Sequence, residues 1–155
     1  VLAETGLPPG MLELEITESV LMGASREHND VLVRLRNAGI RLAIDDFGTG
    51  YSSLDYLRRF PMDRIKVAQN FVVDLGVKPG SAAVVKATIG LARELGIDVI
   101  AEGVETEEQL NLIQNWGCGE VQGYYYSRPL SPDGIAPLLR DGRIVPPPHG
   151  VRPAA

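Results

Sequence analysis

Short apolar runs alternate with helix-period stretches along this 155-residue chain. That alternation limits the folds open to it more than any other feature. The apolar runs are Met11 to Ile16, Arg41 to Asp45, Arg64 to Val67, Asp98 to Ala101 and Gly119 to Tyr125. Between them the spacing predicts helices over Arg26 to Ala38, Ser53 to Arg59, Ser81 to Leu95 and Glu105 to Trp116. A helical turn at Asn70 to Leu75 and a last helix at Pro132 to Leu139 complete the pattern. Ser25 reads as an N-cap, and Gly39 and Gly96 read as stops. A strand, helix, strand repeat gives a parallel sheet with right-handed crossovers, so the fold class is α/β. Five strands do not close a (β/α)8 barrel, which takes about 250 residues. The runner-up, a small open doubly wound sheet, lacks a phosphate-binding glycine fingerprint after its first strand. The expected architecture is a partial (β/α)8 TIM-type barrel of about five β/α units.

What each strand carries at its carboxyl end points to chemistry. In order these residues are Glu15 with Glu18 just beyond, Asp45 with Asp46, Lys66, Glu102 and Gln122. In a barrel such ends converge on one face. Adjacent carboxylates repel one another beside an apolar strand, and hard oxygen ligands suit Mg²⁺, Mn²⁺ or Ca²⁺. A divalent site with a lysine helper can polarise a phosphoryl oxygen and lower the pKa of a bound water. Lys66 would hold that water or offset developing phosphate charge, and Glu102 would accept its proton. Each residue also has a plainer reading. Asp45 and Asp46 could instead form a solvated turn with Gly48 and Gly50, Glu15 could be a surface glutamate and Lys66 a solvated lysine. Glu102 and Glu105 read as helix caps, and Gln122 is the weakest member of the set.

The formal net charge of −5 proposes no nucleic acid polymer and no anionic membrane as partner. Cys118 is alone, which excludes a disulfide within the chain and is compatible with a reducing cytoplasm. No apolar run approaches the roughly 20 residues of a membrane span. Val1 to Thr5 reads like the last turn of a helix already under way, an expectation of sequence upstream. Residues 1–141 are expected to form one folded portion, and residues 142–155 a Pro-rich, disordered tail.

Four segments in order carry a family resemblance: LEITES at Leu14 to Ser19, DDFGTGYSSL at Asp45 to Leu54, AEGVET at Ala101 to Thr106 and QGYYYSRPL at Gln122 to Leu130. Together, from about Leu7 to Leu139, they resemble the EAL-type cyclic-di-GMP phosphodiesterase domain, in its carboxyl-terminal part. The resemblance implies a (β/α)8-type barrel that hydrolyses the bacterial second messenger cyclic di-GMP to linear pGpG with two Mg²⁺ or Mn²⁺ ions. It implies that Glu15, Asp45, Asp46 and Glu102 bind metal, with Lys66 and Glu102 catalytic. Gln122 would belong to the substrate or water shell. Glu18 would anchor the loop from Phe47 to Ser53, the region through which a homodimer would form, and Tyr124 to Pro129 would lie near one guanine. A cytoplasmic location follows, with an upstream sensor or cyclase domain or a membrane anchor possible in a full-length protein. The chain also departs from the family. The Glu-Ala-Leu segment is absent, as is the strand ending in a metal-binding Asn, and Ala68 stands where an Asp is usual. Little turnover is therefore expected of these residues alone. The rival reading is a degenerate EAL module that binds cyclic di-GMP or a protein partner without catalysis.

Overall fold

A computed structural model describes residues 1–50 and 55–142. The elements in chain order are α1 (Leu2–Thr5), a 3-10 turn (Pro9–Met11), β1 (Glu13–Thr17), α2 (Glu18–Met22), α3 (Arg26–Asn37) and β2 (Arg41–Phe47). They continue with α4 (Asp55–Arg59), β3 (Arg64–Val67), α5 (Gln69–Val73), α6 (Pro79–Leu95), β4 (Asp98–Glu102), α7 (Glu107–Asn115), β5 (Glu120–Gln122) and α8 (Pro132–Asp141). All five strands are parallel and stand in sequence order, β1-β2-β3-β4-β5. The sequence expectation of a parallel α/β sheet with about five units holds.

The two faces of the sheet differ completely. Leu42, Ile44, Ile65, Val67 and Ala101 are fully buried. They pack with Leu32 of α3, Val85, Ile89 and Ala92 of α6, and Ile113 of α7 in two adjoining apolar clusters. Alternate residues point the other way, because side chains along a strand switch faces at each step. That second face carries Glu13, Glu15, Arg41, Asp45, Arg64, Lys66, Asp98, Glu102, Glu120 and Gln122.

The helices bury only part of their apolar residues. Val31 and Leu112 are exposed, and Leu32, Leu110 and Ile113 carry the packing of α3 and α7. On α6 the buried stripe is Ser81, Val85, Thr88, Ile89 and Ala92, with Ala87 outside it. That helix starts two residues early because Pro79 fits its first position. β5 is three residues long instead of seven. The expected helix start at Ser53 and the expected tail beyond Gly142 lie outside the described residues.

Candidate functional site

The carboxyl end of β2 departs from regular strand geometry. Ala43 and Ile44 pair with Arg64 and Ile65, but the next partner pair is Phe47 with Val67, so β2 holds one extra residue at Asp45–Asp46. Asp46 has φ 54°, the left-handed region that aspartate tolerates better than most residues. This bulge changes the phase of the strand. Phe47 rejoins Ile44 in the helix-side core, while Asp45 stays on the polar face and Asp46 stands exposed at the rim.

Lys66 is the centre of that face. Its Nζ lies 2.8 Å from Glu15 Oε1, 3.0 Å from Asp45 Oδ1 and 2.9 Å from Glu102 Oε1, with the lysine side chain 8% exposed. These carboxylates come from β1, β2 and β4. Strands lie about 4.8 Å apart, so in a flat sheet β1 would be about 10 Å from β3. Lys66 and Glu15 bridge that interval with long side chains, but Arg64 reaches both Glu13 on β1 and Glu120 on β5, strands about 19 Å apart in a flat sheet, so the sheet curves with its polar face concave. Burial by itself pulls the Lys66 pKa down. The carboxylates of Glu15, Glu102 and Asp45 outweigh it, and the net shift is upward. Lys66 is a fixed positive charge at neutral pH, not a base.

Supporting contacts hold the ends of the other strands. Glu18, 1% exposed, accepts backbone N–H donors from Gly48 at 2.9 Å and Gly50 at 3.3 Å, and so ties the loop after β2 to the start of α2. Gly48 has φ 95°, and a Cβ there would come 3.1 Å from Phe71. After β4, Val104 N–H donates to Gln122 O at 3.1 Å, and Tyr125 N–H donates to Val104 O at 2.9 Å. Gly123 must lack a side chain because a Cβ would overlap the Val104 backbone. The cap of α7 is Thr106 with Gln109, whose side chains and backbone N–H groups satisfy each other. Glu102 and Glu105 are not that cap, and Glu102 is turned to Lys66 instead.

The structure thus brings Glu15, Asp45, Lys66 and Glu102 together. Asp46 stands apart from them, at the rim. Gln122 pairs in register with Glu102, is exposed, and its amide has no hydrogen-bond partner among the described residues. Glu18 touches the Phe47–Ser53 loop through Gly48 and Gly50, and residues 51–53 of that loop lie outside the described residues. Ala68 is 2% exposed and precedes α5.

The donor set suits a hard divalent cation in its chemistry. Three carboxylates around one ammonium leave a surplus of negative charge, and Asp45 Oδ1 is buried without a hydrogen bond although Nζ lies 3.0 Å away. It is not a complete shell. Among the described residues no three carboxylate, imidazole or thiol side chains are arranged to hold a metal by themselves.

Sequence reasoning missed a second layer of charge on this face. Arg64 reaches Glu13 at 3.4 Å and Glu120 at 2.9 Å, and Arg41 reaches Asp98 at 3.0 Å and Glu13 at 3.6 Å. A signal for it was present. Each strand carries a charged residue two or four positions before its site residue: Glu13 and Glu15, Arg41 and Asp45, Arg64 and Lys66, Asp98 and Glu102, Glu120 and Gln122. His28 was also missed. Its Nδ1 accepts the Ser25 N–H at 3.0 Å and helps cap α3.

Comparison with known proteins gives this geometry a context. A cyclic di-GMP phosphodiesterase of Pseudomonas aeruginosa is 47% identical over 129 residues, 83% of this chain and 22% of that protein. The EAL domain of Mycobacterium smegmatis DcpA superposes with a TM-score of 0.88 at 42% identity, over 93% of this chain and 64% of that one. Klebsiella pneumoniae BlrP1, in a manganese and cyclic di-GMP complex, gives a TM-score of 0.76 at 41% identity, over 83% of this chain and 33% of that one. A calcium complex of BlrP1 is similar to the same extent. The chain spans about a fifth of the length of such curated relatives. The family model for the EAL domain matches residues 1–129, which reaches from α1 past β5 and stops before α8. The chain belongs to the EAL domain family.

Proposed function

We propose that this chain supplies part of the active site of a phosphodiesterase that hydrolyses cyclic di-GMP to linear pGpG with the help of Mg²⁺ or Mn²⁺. The observation that carries the reading is the convergence of Glu15, Asp45 and Glu102, from three strands, on the buried ammonium of Lys66. Relatives described as cyclic di-GMP phosphodiesterases, and a relative in complex with manganese or calcium and cyclic di-GMP, support the substrate and the use of a divalent ion.

Glu15, Asp45, Asp46 and Glu102 would hold the metal, which supplies Lewis acidity toward a phosphoryl oxygen and an acidified water. Asp45 Oδ1 has a free lone pair for that purpose. Lys66 keeps its proton, so it donates to the attacking water or to a phosphate oxygen as negative charge builds there. Glu102, on the far side of Lys66 from Glu15, accepts the proton the water loses. Gln122, next to Glu102 in register, orients the water or substrate. Glu18 holds the loop after β2 through Gly48 and Gly50, and we assign that loop region to the homodimer contact. The cytoplasm is the proposed location, since the proposed substrate is an intracellular messenger. Described residues include no helix long and apolar enough to cross a membrane.

Residues 1–155 alone are expected to turn over little substrate, because the described carboxylates do not make a full shell. The test is an assay of the native full-length protein on cyclic di-GMP, with pGpG resolved by chromatography and with Mn²⁺, Mg²⁺ or EDTA present. Metal-dependent release of pGpG supports the reading; a folded protein that binds cyclic di-GMP without releasing pGpG overturns it. That outcome would favour the second reading, a binding module, for which Ala68 is the specific observation. A buried methyl occupies the position two residues after Lys66, and it offers neither charge nor ligand.

A further inference from the structure

We infer that Arg64 is a positioning residue for the site above it, setting the gap between the two outer strands that carry Glu15 and Gln122. The inference rests on reading the Lys66 cluster as the reacting site. Arg64 stands on the middle strand, two residues before Lys66 and on the same face. Its guanidinium Nη1 lies 3.4 Å from Glu13 on β1, and Nη2 lies 2.9 Å from Glu120 on β5. Both strands are two places away from β3 in the sheet. One side chain therefore forms a chord across the whole concave face.

The anchoring points are placed so that movement there reaches the site. Glu13 precedes Glu15 by two residues on β1, and Glu120 precedes Gln122 by two residues on β5. A strand is stiff over that interval, so a shift at Glu13 or Glu120 carries its neighbour with it. The guanidinium suits the task better than an ammonium would, because its planar fork addresses two acids in fixed directions. Its side chain is 13% exposed, which shields both pairs from solvent on the arginine side. Arg41 adds a smaller link from β2 to β1 and β4, through Glu13 and Asp98. Without Arg64, Glu13 keeps Arg41 but Glu120 keeps no cation among the described residues, and β5 is held to the sheet by its backbone ladder with β4 alone, without a side-chain tie to β3.

The test uses the native full-length protein and three variants, Arg64→Met, Arg64→Lys and Glu120→Gln. Three quantities are read per folded molecule: kcat on cyclic di-GMP, KM, and Mn²⁺ affinity by electron paramagnetic resonance. Displaced supporting groups around metal sites cost about 10- to 100-fold in affinity or activity. Arg64→Met is expected to lower kcat and Mn²⁺ affinity by amounts in that range, with KM nearly unchanged. Arg64→Lys should recover part of the loss. Glu120→Gln, at an exposed carboxylate that leaves the fold intact, should show a smaller loss of the same kind, and it keeps the test alive if Arg64→Met does not fold. An active protein whose Arg64→Met and Glu120→Gln variants keep wild-type kcat and Mn²⁺ affinity overturns the role of Arg64 alone. A wild-type protein that neither hydrolyses cyclic di-GMP nor binds Mn²⁺ overturns the underlying reading, and this one with it.

Discussion

Lys66 and Arg64 stand two residues apart on one strand and face the same way, yet their surroundings are built on different principles. Around Arg64 and Arg41 the acids Glu13, Asp98 and Glu120 are each matched to a guanidinium. Around Lys66 a single ammonium serves Glu15, Asp45 and Glu102, and a buried oxygen of Asp45 goes without a hydrogen bond. The lower layer is nearer to charge balance, with three acids to two guanidiniums, although Arg64 Nε is itself buried without a hydrogen-bond partner. The upper one is short of positive charge, which is costly to maintain beside an apolar sheet unless something cationic completes it. The difference separates a charge network that shapes the sheet from one poised for a ligand.

The strongest way to break that distinction is Lys66→Met. If the upper layer is the reacting site, kcat should fall by about 10²- to 10³-fold, the usual effect of removing one donor that stabilises developing negative charge. Mn²⁺ affinity should not fall, because the variant removes a competing cation and leaves the carboxylates in place. Arg64→Met is expected to lower both. Loss of metal affinity with little change in kcat in Lys66→Met would mean that the lysine organises the carboxylates and takes no part in the reaction.

Much of this arrangement is legible in the amino-acid sequence, because it depends on local rules. The strand Arg64–Val67 matches its expected bounds, and Gly96 ends α6 in the left-handed conformation that its lack of a side chain permits. Glu15, Asp45, Lys66 and Glu102 stand out because each lies at or near the carboxyl end of a strand of one parallel sheet. What escapes depends on tertiary pairing. The bulge at Asp45–Asp46 exists only relative to β3, so the sequence shows two adjacent acids but not that one turns inward and the other stays at the rim. β5 stops at Gln122, and the next residue, Gly123, passes against the Val104 backbone, a contact between loops that no periodicity encodes. Gln122, grouped with the others by its place at a strand end, lies in register beside Glu102 but makes no side-chain hydrogen bond among the described residues.

A smaller effect is expected at Glu18, which ties the loop to the sheet from the buried side. Glu18→Ala would leave the Gly48 and Gly50 N–H groups without their acceptor, at a cost of about 1–3 kcal/mol for buried donors. Thermal melting should register that loss. An unchanged melting temperature would mean that the loop finds other partners and that Glu18 does not hold it.

The Lys66 charge supplies a test that needs no variant. Its pKa is raised on folding, so its stabilising contribution is fully present at any pH below the ordinary lysine value of 10.5 and is lost only as pH rises past the folded-state value above it. Lysine side-chain resonances followed by NMR should show Lys66 still protonated as the pH passes 10.5. A Lys66 transition in the neutral range would show that burial outweighs the carboxylates, and the upper layer would then hold a neutral amine able to act as a base.

The smallest expected effect makes the closest comparison of the two layers, since Asp98 and Glu102 lie on the same face of one strand. Asp98 is well exposed and pairs with Arg41 at 3.0 Å, while Glu102 is mostly buried and pairs with Lys66 at 2.9 Å. The distances are nearly equal, so distance does not decide what each pair does. Exposed pairs contribute about 0–1 kcal/mol, screened by water and salt. Arg41 also keeps Glu13 when Asp98 is neutralised. Asp98→Asn should therefore shift the melting temperature slightly and leave kcat and Mn²⁺ affinity where they were. Glu102→Gln should depress both, since it removes a ligand and the proton acceptor together. If Asp98→Asn depressed kcat as strongly as Glu102→Gln, charge at either level of the concave face would count equally, and the division into a shaping layer and a reacting layer would fail.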